Sequence, residues 1–158
     1  MSSCNIWLIR HGITEHNRNG RIQGQLDVPL SDQGRRQVHE LAKRLRPGMI
    51  QAIYSSDLSR AKETAEIIAR AIKLEIEEFR PDLREICFGR WQGHTMAEVA
   101  ELYPKEFAIW KADRTYAAPH GGESFAQMTA RGWQAVQEIA ASHPGQTVAV
   151  VAHGALIK

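Results

Sequence analysis

Short apolar runs alternate along this chain with segments whose apolar residues recur at helical spacing. The clearest runs are residues 6–9 and 147–152, and each predicts a buried strand. Residues 52–55 predict a further strand, and residues 74–79 a short one. Strands that alternate with helices favour an α/β fold built on a mainly parallel sheet.

Capping residues mark where the predicted helices begin, because their side chains satisfy free backbone N–H groups. The start signals are Ser31, Pro104 and the capping-box pairs Thr95 with Glu98 and Ser124 with Gln127. The helix after Ser31 should reach residues 47–48, a Pro-Gly pair that ends it. Residues 13–30 lack periodicity and predict a long loop with one helical turn; a loop of this length in a compact domain usually has a function.

Polar side chains that can take part in catalysis follow directly after the first and last apolar runs. Arg10 and His11 end the first run, and His153 ends the last. Because ligands bind at the carboxyl ends of parallel strands, we expect His11 and His153 to share one pocket, although 142 positions separate them. Groups that can carry positive charge are costly at the rim of an apolar strand unless an anion binds them.

The candidate site has the parts that phosphoryl transfer requires. Arg60 lies in the first turn of a predicted helix, where free N–H groups and the helix dipole favour an anion. Transfer needs a nucleophile, neutralisation of the phosphoryl oxygens and a proton donor for the leaving oxygen. His11 can attack, while Arg10, Arg60 and His153 can neutralise. Glu85, in an apolar loop, can protonate the leaving group.

Composition narrows the class of protein. With 158 residues, 43% hydrophobic content and a net charge of +2, the chain predicts one globular domain that binds no nucleic acid. Cys4 and Cys87 lack metal or redox spacing, which favours a reduced, cytoplasmic protein. The sequence shows no signal peptide, no membrane-spanning run and no histidine spacing typical of zinc. We therefore expect neither a metal nor a membrane partner.

Five segments, in order, resemble the motifs of the histidine phosphatase superfamily, the phosphoglycerate-mutase-like group. They are residues 8–14 with Asn17, Arg21, Gln23, Gly24, Asp27 and 29–30; residues 54–61 with 63–65; residues 83–85 with 88–89 and 91–93; residues 121–124; and residues 152–154. The resemblance runs from Ile6 to the end of the chain. It implies a three-layer α/β sandwich with helices on both faces of the sheet.

The resemblance also implies a two-step reaction without a metal or other cofactor. His11 would become phosphohistidine, which water then hydrolyses, with Glu85 acting first as acid and then as base. The implied phosphate and substrate residues are Arg10, Arg60, His153, Asn17, Gln23 and Gly24.

Two segments resemble the phosphatase branch of the superfamily more than the mutase branch. Residues 21–24 have the phosphatase form, and residues 88–93 are similar to bacterial members such as α-ribazole phosphatase and the sugar-phosphate and phosphoserine phosphatases. The expected partner is a small phosphorylated metabolite. Two alternatives stay open: a phosphoglycerate mutase, and a non-catalytic module that binds a phosphorylated ligand or a protein partner.

The domain boundaries follow from the same resemblance. We expect a single domain over residues 1–158, with a helical insertion at about 95–122. Family members usually continue past the second histidine with a helix and a further strand, which are missing before Lys158. One sheet face should then be partly bare, which would favour a homodimer.

Overall fold

A computed structural model describes residues 3–158, which contain one four-stranded sheet. The strands are β1 Asn5–Arg10, β2 Ala52–Ser56, β3 Glu78–Arg80 and β4 Thr147–Ala152. Every pairing is parallel, and the spatial order is β1-β4-β2-β3. The helices are α1 Glu15–Arg18, α2 Asp32–Ala42, α3 Ser59–Ile72, α4 Met96–Leu102, α5 Pro104–Ala112, α6 Phe125–Ser142 and α7 Gly154–Ile157.

The central strand β4 shows why the fold has three layers. Successive side chains of a strand point to opposite faces of the sheet. Ala149 and Val151 pack into a core with α2 and α3, whereas Val148 and Val150 pack into a second core with α6. All four are buried. The predicted α/β sandwich with helices on both sides of a parallel sheet is confirmed.

The prediction that the first strand is buried is wrong. β1 lies at the edge of the sheet, where it has β4 as its only neighbouring strand among the described residues. Trp7 is 38% exposed and Leu8 is 47% exposed. Leu8 lines an apolar groove of about 280 Å³ together with Trp133 and Leu156. The apolar run therefore predicted a strand correctly. It did not predict how buried that strand is, because burial depends on what covers the edge of the sheet.

Two element boundaries also differ from the sequence prediction. The third strand is limited to Glu78–Arg80, because the apolar residues before it, Leu74 and Ile76, pack against the core without joining the sheet. Helix α2 ends at Ala42 rather than near residue 47, and Leu41 remains 38% exposed. An apolar residue in the sequence therefore marked neither the start of β3 nor the end and the buried face of α2.

The predicted capping signals are confirmed. Ser31 accepts from the Gly34 N–H at 3.0 Å, and both capping boxes form. The long loop contains the single helical turn α1. Gly34 lies so close to this loop that a Cβ there would be 2.1 Å from the Ile13 carbonyl oxygen. Glycine at this position lets α2 hold the loop that follows β1.

The two helices predicted within residues 95–122, α4 and α5, form a small core of their own. Val99 and Trp110 pack there against Ile22 and Trp91, all of them buried. This core links the helices to the loop after β1 and to the 3-10 turn Gly89–Trp91. Within residues 3–158, no helix combines the length and apolar character needed to cross a membrane.

Candidate active site

The register of the sheet brings the two predicted histidines together. Arg10 of β1 pairs with Ala152 of β4, so the next residue of each strand, His11 and His153, leaves the same edge of the sheet. Their ring centroids are 5.1 Å apart, with a 58° angle between the ring planes. The shared pocket predicted from the sequence is confirmed.

The His11 ring is held in one tautomer. Its Nδ1 lies 2.6 Å from the Gly12 carbonyl oxygen. A carbonyl oxygen only accepts, so Nδ1 carries the proton and Nε2 of the neutral ring keeps its lone pair. Burial is the main cause that lowers the pKa of His11, to about 4. The hydrogen bond to Gly12 raises this pKa, and the charges of Arg60 and Arg10 lower it further. At neutral pH the ring is therefore uncharged, with the Nε2 lone pair free.

His153 is fully buried. Its Nδ1 is the nitrogen left without a partner, whereas in His11 that nitrogen is Nε2. The Nε2 of His153 lies 2.8 Å from the Ser56 hydroxyl oxygen, which also accepts from the Leu58 N–H. The arrangement that satisfies all of these groups has the hydroxyl donating to Nε2. Nδ1 then carries the proton, and it has no hydrogen-bond partner in the described chain. Burial, followed by the charges of Arg60 and His11, lowers the pKa of His153 to about 2.

Arg60 supplies a buried positive charge. Its side chain is 0% exposed and donates to the carbonyl oxygens of Leu26 at 2.8 Å and Gly24 at 2.7 Å. Its Nε has no acceptor, and no carboxylate of residues 3–158 forms an ion pair with it. Burial lowers the pKa of Arg60 to about 10, so the guanidinium stays charged at neutral pH. Glu85 and Asp27 attract this charge, but only from beyond ion-pair distance. A buried cation without a contacting counter-ion is costly, and this arrangement suits an anionic ligand.

The loop after β1 arranges three further predicted residues. Thr14 donates to the side-chain oxygen of Gln23 at 2.7 Å and gives its N–H to the side-chain oxygen of Asn17 at 3.0 Å. Both amide oxygens are thus used within the loop, and the amide nitrogens are the ends left for a ligand. Gly24 has φ +51°, and a Cβ there would lie 2.2 Å from the Gln92 side-chain oxygen. This glycine keeps its carbonyl oxygen available to Arg60.

Arg10 and Glu85 line one open cleft of about 510 Å³, together with Gly154, the residue that follows His153. The Glu85 carboxylate accepts N–H groups from Ile86, Ala155 and Leu156 at 3.0, 3.1 and 3.3 Å. Arg10 is exposed and lies against Gly154, where a Cβ would be 3.3 Å from the guanidinium carbon. All the residues predicted for catalysis therefore lie at the carboxyl edge of the sheet.

Sequence reasoning missed the residues that hold this site in place. Ser56 and Thr14 orient His153 and the loop amides, and Arg131 of α6 contacts the backbone around Glu85. One signal was available for Arg131. It lies between Met128 and Ala135 on the buried stripe of α6, and a charged residue inside an apolar stripe usually has buried partners.

The comparison with protein-family models decides the family. The model described as histidine phosphatase superfamily, branch 1, matches residues 6–158. The chain belongs to the histidine phosphatase superfamily.

Several relatives of this histidine phosphatase are named phosphatases, and one from Arabidopsis thaliana is named phosphoglycerate mutase-like protein 4. This chain is 42% identical over 159 residues to the metal-independent phosphoserine phosphatase of Arabidopsis thaliana, and the match covers 97% of this chain and 65% of that protein. It is 39% identical over 167 residues to the glucosyl-3-phosphoglycerate phosphatase of Mycobacterium tuberculosis, and that match covers 99% of this chain and 73% of that protein. The histidine phosphatase chain thus spans about two thirds to three quarters of the length of these two relatives.

A solved structure confirms the fold. The α-ribazole phosphatase of Shigella flexneri superimposes on this histidine phosphatase with a TM-score of 0.84 at 25% identity. The match covers 96% of this chain and 75% of that structure. The parallel sheet and flanking helices described above are therefore those of the superfamily.

The buried histidines should make this histidine phosphatase sensitive to acid. The folded pKa of His11 is below the unfolded value, so the unfolded chain binds more protons as the pH falls through that range. Stability from this group is complete above about pH 6.5 and declines as the pH falls towards 4. Between pH 7 and pH 4.5 we expect His11 to cost about 2 to 3 kcal/mol of unfolding free energy.

Urea unfolding of the wild type and His11→Asn at both pH values would measure this effect. The variant should gain about 2 to 3 kcal/mol relative to the wild type at the lower pH. His39→Asn, which changes an exposed histidine of α2, is the matched control and should show no such gain. A pH-independent difference between His11→Asn and the wild type would contradict the prediction.

Proposed function

We propose that this chain hydrolyses phosphate monoesters of small metabolites without a metal ion, through a phosphohistidine on His11. The observation that carries the proposal is the buried, unpaired charge of Arg60 beside two histidines kept neutral by burial. A phosphoryl group matches this arrangement for two reasons. Its negative charge can form the contact ion pair that no carboxylate forms with Arg60, and its phosphorus is an electrophile that His11 can attack.

The first step transfers the phosphoryl group to the protein. The phosphoryl oxygens accept hydrogen bonds from Arg60 Nε–H, His153 Nδ1–H and the Arg10 guanidinium. His11 Nε2 attacks phosphorus, the Nε2–P bond forms and the P–O ester bond breaks. Glu85, protonated in the reactive complex, gives its proton to the leaving oxygen, which departs as an alcohol. Two positively charged guanidinium groups stabilise the charge that develops on the oxygens.

The second step releases phosphate. Water enters the position of the departed alcohol and attacks phosphorus, while the Glu85 carboxylate takes a proton from that water. The Nε2–P bond breaks, inorganic phosphate leaves, and the Nε2 lone pair of His11 is restored. The hydrogen bond from His11 Nδ1–H to the Gly12 carbonyl oxygen persists through both steps and keeps Nε2 directed at phosphorus.

The names of relatives support a small phosphorylated substrate. One relative is named for phosphoserine, one for glucosyl-3-phosphoglycerate and one for α-ribazole. We assign this chain to the same class of substrate, a phosphate monoester of a small metabolite of the phosphoserine, sugar-phosphate or α-ribazole 5'-phosphate type.

Phosphate release from p-nitrophenyl phosphate in the presence of EDTA tests the proposal. We expect equal amounts of nitrophenol and inorganic phosphate, no loss of rate with EDTA, and a phosphoprotein that survives a base quench. Loss of activity with EDTA would contradict the metal-free route. Phosphoryl transfer to an added hydroxy acid without phosphate release would favour a mutase, and phosphate binding without turnover would favour a binding module.

A further inference from the structure

The segment that carries Glu85 has no regular structure of its own. Residues 85–88 lie between the 3-10 turns Pro81–Leu83 and Gly89–Trp91. A proton donor must stay within hydrogen-bond reach of the leaving oxygen, and a displacement of about 1 Å can cost about 100-fold in rate. An irregular segment therefore needs anchors from elsewhere in the fold.

Arg131 is the anchor that reaches this segment from α6. Its guanidinium donates to three backbone carbonyl oxygens, those of Asp82 at 2.9 Å, Arg84 at 2.7 Å and Glu85 at 2.9 Å. It also donates to both carboxylate oxygens of Glu123, at 3.0 and 2.5 Å. An arginine has five N–H groups, and all of them are used here. The planar fork fixes the direction of these contacts, which a lysine could not reproduce.

Glu123 completes the anchor from the other side. Its carboxylate accepts the Cys87 N–H at 2.9 Å, and its own N–H donates to the Cys87 carbonyl oxygen at 2.8 Å. The preceding Gly122 lies so close that a Cβ would be 2.5 Å from that same oxygen. The ion pair of Arg131 and Glu123 thus holds the backbone on both sides of the Glu85 side chain.

The pair is partly shielded from solvent, which strengthens its contacts. The side chains of Arg131 and Glu123 are 23% and 17% exposed. The charge of Arg131 is also among the causes that lower the pKa of His153. Arg131 therefore acts on the same pocket as the proposed acid without reaching the reacting atoms.

We propose that Arg131, paired with Glu123, is a positioning residue that directs the Glu85 carboxyl towards the leaving oxygen. This inference rests on the proposed function, in which Glu85 is the general acid. Arg131 should therefore matter most when the leaving group needs a proton, and little for substrate binding, which Arg10 and Arg60 perform.

Two substrates that differ in their leaving group separate these effects. p-Nitrophenol leaves easily without a proton, whereas phenol from phenyl phosphate depends on one. We expect Arg131→Met to lower kcat/KM for phenyl phosphate about 10- to 100-fold and kcat/KM for p-nitrophenyl phosphate less than about threefold, with inhibition by inorganic phosphate unchanged. The ratio kcat/KM is the measure because it reports the step in which the leaving group departs, and not the later hydrolysis of phosphohistidine that both substrates share. Arg131→Lys keeps the positive charge but loses the planar guanidinium, so it should show the same selectivity in a milder form. This variant replaces Arg131→Met in the test if the Met variant does not fold.

Two further variants make the outcome decisive. Arg80→Met is the matched control, because Arg80 also joins α6 through Glu138 but forms no hydrogen bond or ion pair with residues 84–88, and it should leave both substrates unaffected. Glu85→Gln tests the acid role itself and should lower kcat/KM selectively for phenyl phosphate. An equal loss of kcat/KM for both substrates in Glu85→Gln would overturn the acid assignment. Selectivity in Glu85→Gln together with an equal loss of kcat/KM, or weaker phosphate inhibition, in Arg131→Met would overturn the positioning role alone.

Discussion

His11→Ala should lower kcat/KM for p-nitrophenyl phosphate by at least about 1000-fold while the protein stays folded. The reason is the geometry of the ring, whose protonated Nδ1 is held by the Gly12 carbonyl oxygen so that Nε2 is free to attack. Alanine in place of histidine removes the nucleophile, so no phosphohistidine can form.

Steady-state kinetics on the purified variant, with circular dichroism to verify folding, would measure this loss. His39→Ala is the control, since it removes an exposed histidine from α2 and should keep wild-type turnover. The variant should also form no phosphoprotein in a base quench. Turnover within tenfold of the wild type in a folded His11→Ala protein would refute the phosphohistidine route.

Arg60→Met should lower kcat/KM by about 100- to 1000-fold and weaken competitive inhibition by inorganic phosphate. Arg60 is the buried charge of the pocket, and its Nε–H has no acceptor within the described chain. Its two contacts to the carbonyl oxygens of Gly24 and Leu26 hold the guanidinium in place. Removing the guanidinium removes both the charge that binds phosphate and the donor that stabilises its transition state.

Arg60→Lys keeps the results interpretable if the Met variant unfolds. Lysine retains the charge but not the fork that contacts two carbonyl oxygens at once, so we expect an intermediate loss of activity. Arg70→Met is the matched control, because Arg70 lies on the same helix and is exposed. Undiminished phosphate inhibition in a folded Arg60 variant would show that the anion binds elsewhere.

Local chemistry explains what could be predicted for the fold. Ser31, Thr95 and Ser124 begin helices because their side chains bond to N–H groups three residues later. Strand identity followed from uninterrupted apolar runs. The order of the strands did not, since it depends on which faces pack together, and β1 became an exposed edge although its sequence favours burial.

The candidate site divides in a similar way. By itself the sequence predicted that His11, His153 and Arg60 would gather, because parallel strands end at one edge and α3 begins there. Glu85 was predicted as the loop acid, a role that the family resemblance also implies. The tertiary structure alone decided their chemical state: which nitrogen of each histidine is free, and how far burial lowers each pKa. It also placed Arg131 against the Glu85 backbone. Such contacts join residues far apart in the chain, and no local pattern encodes their distance or direction.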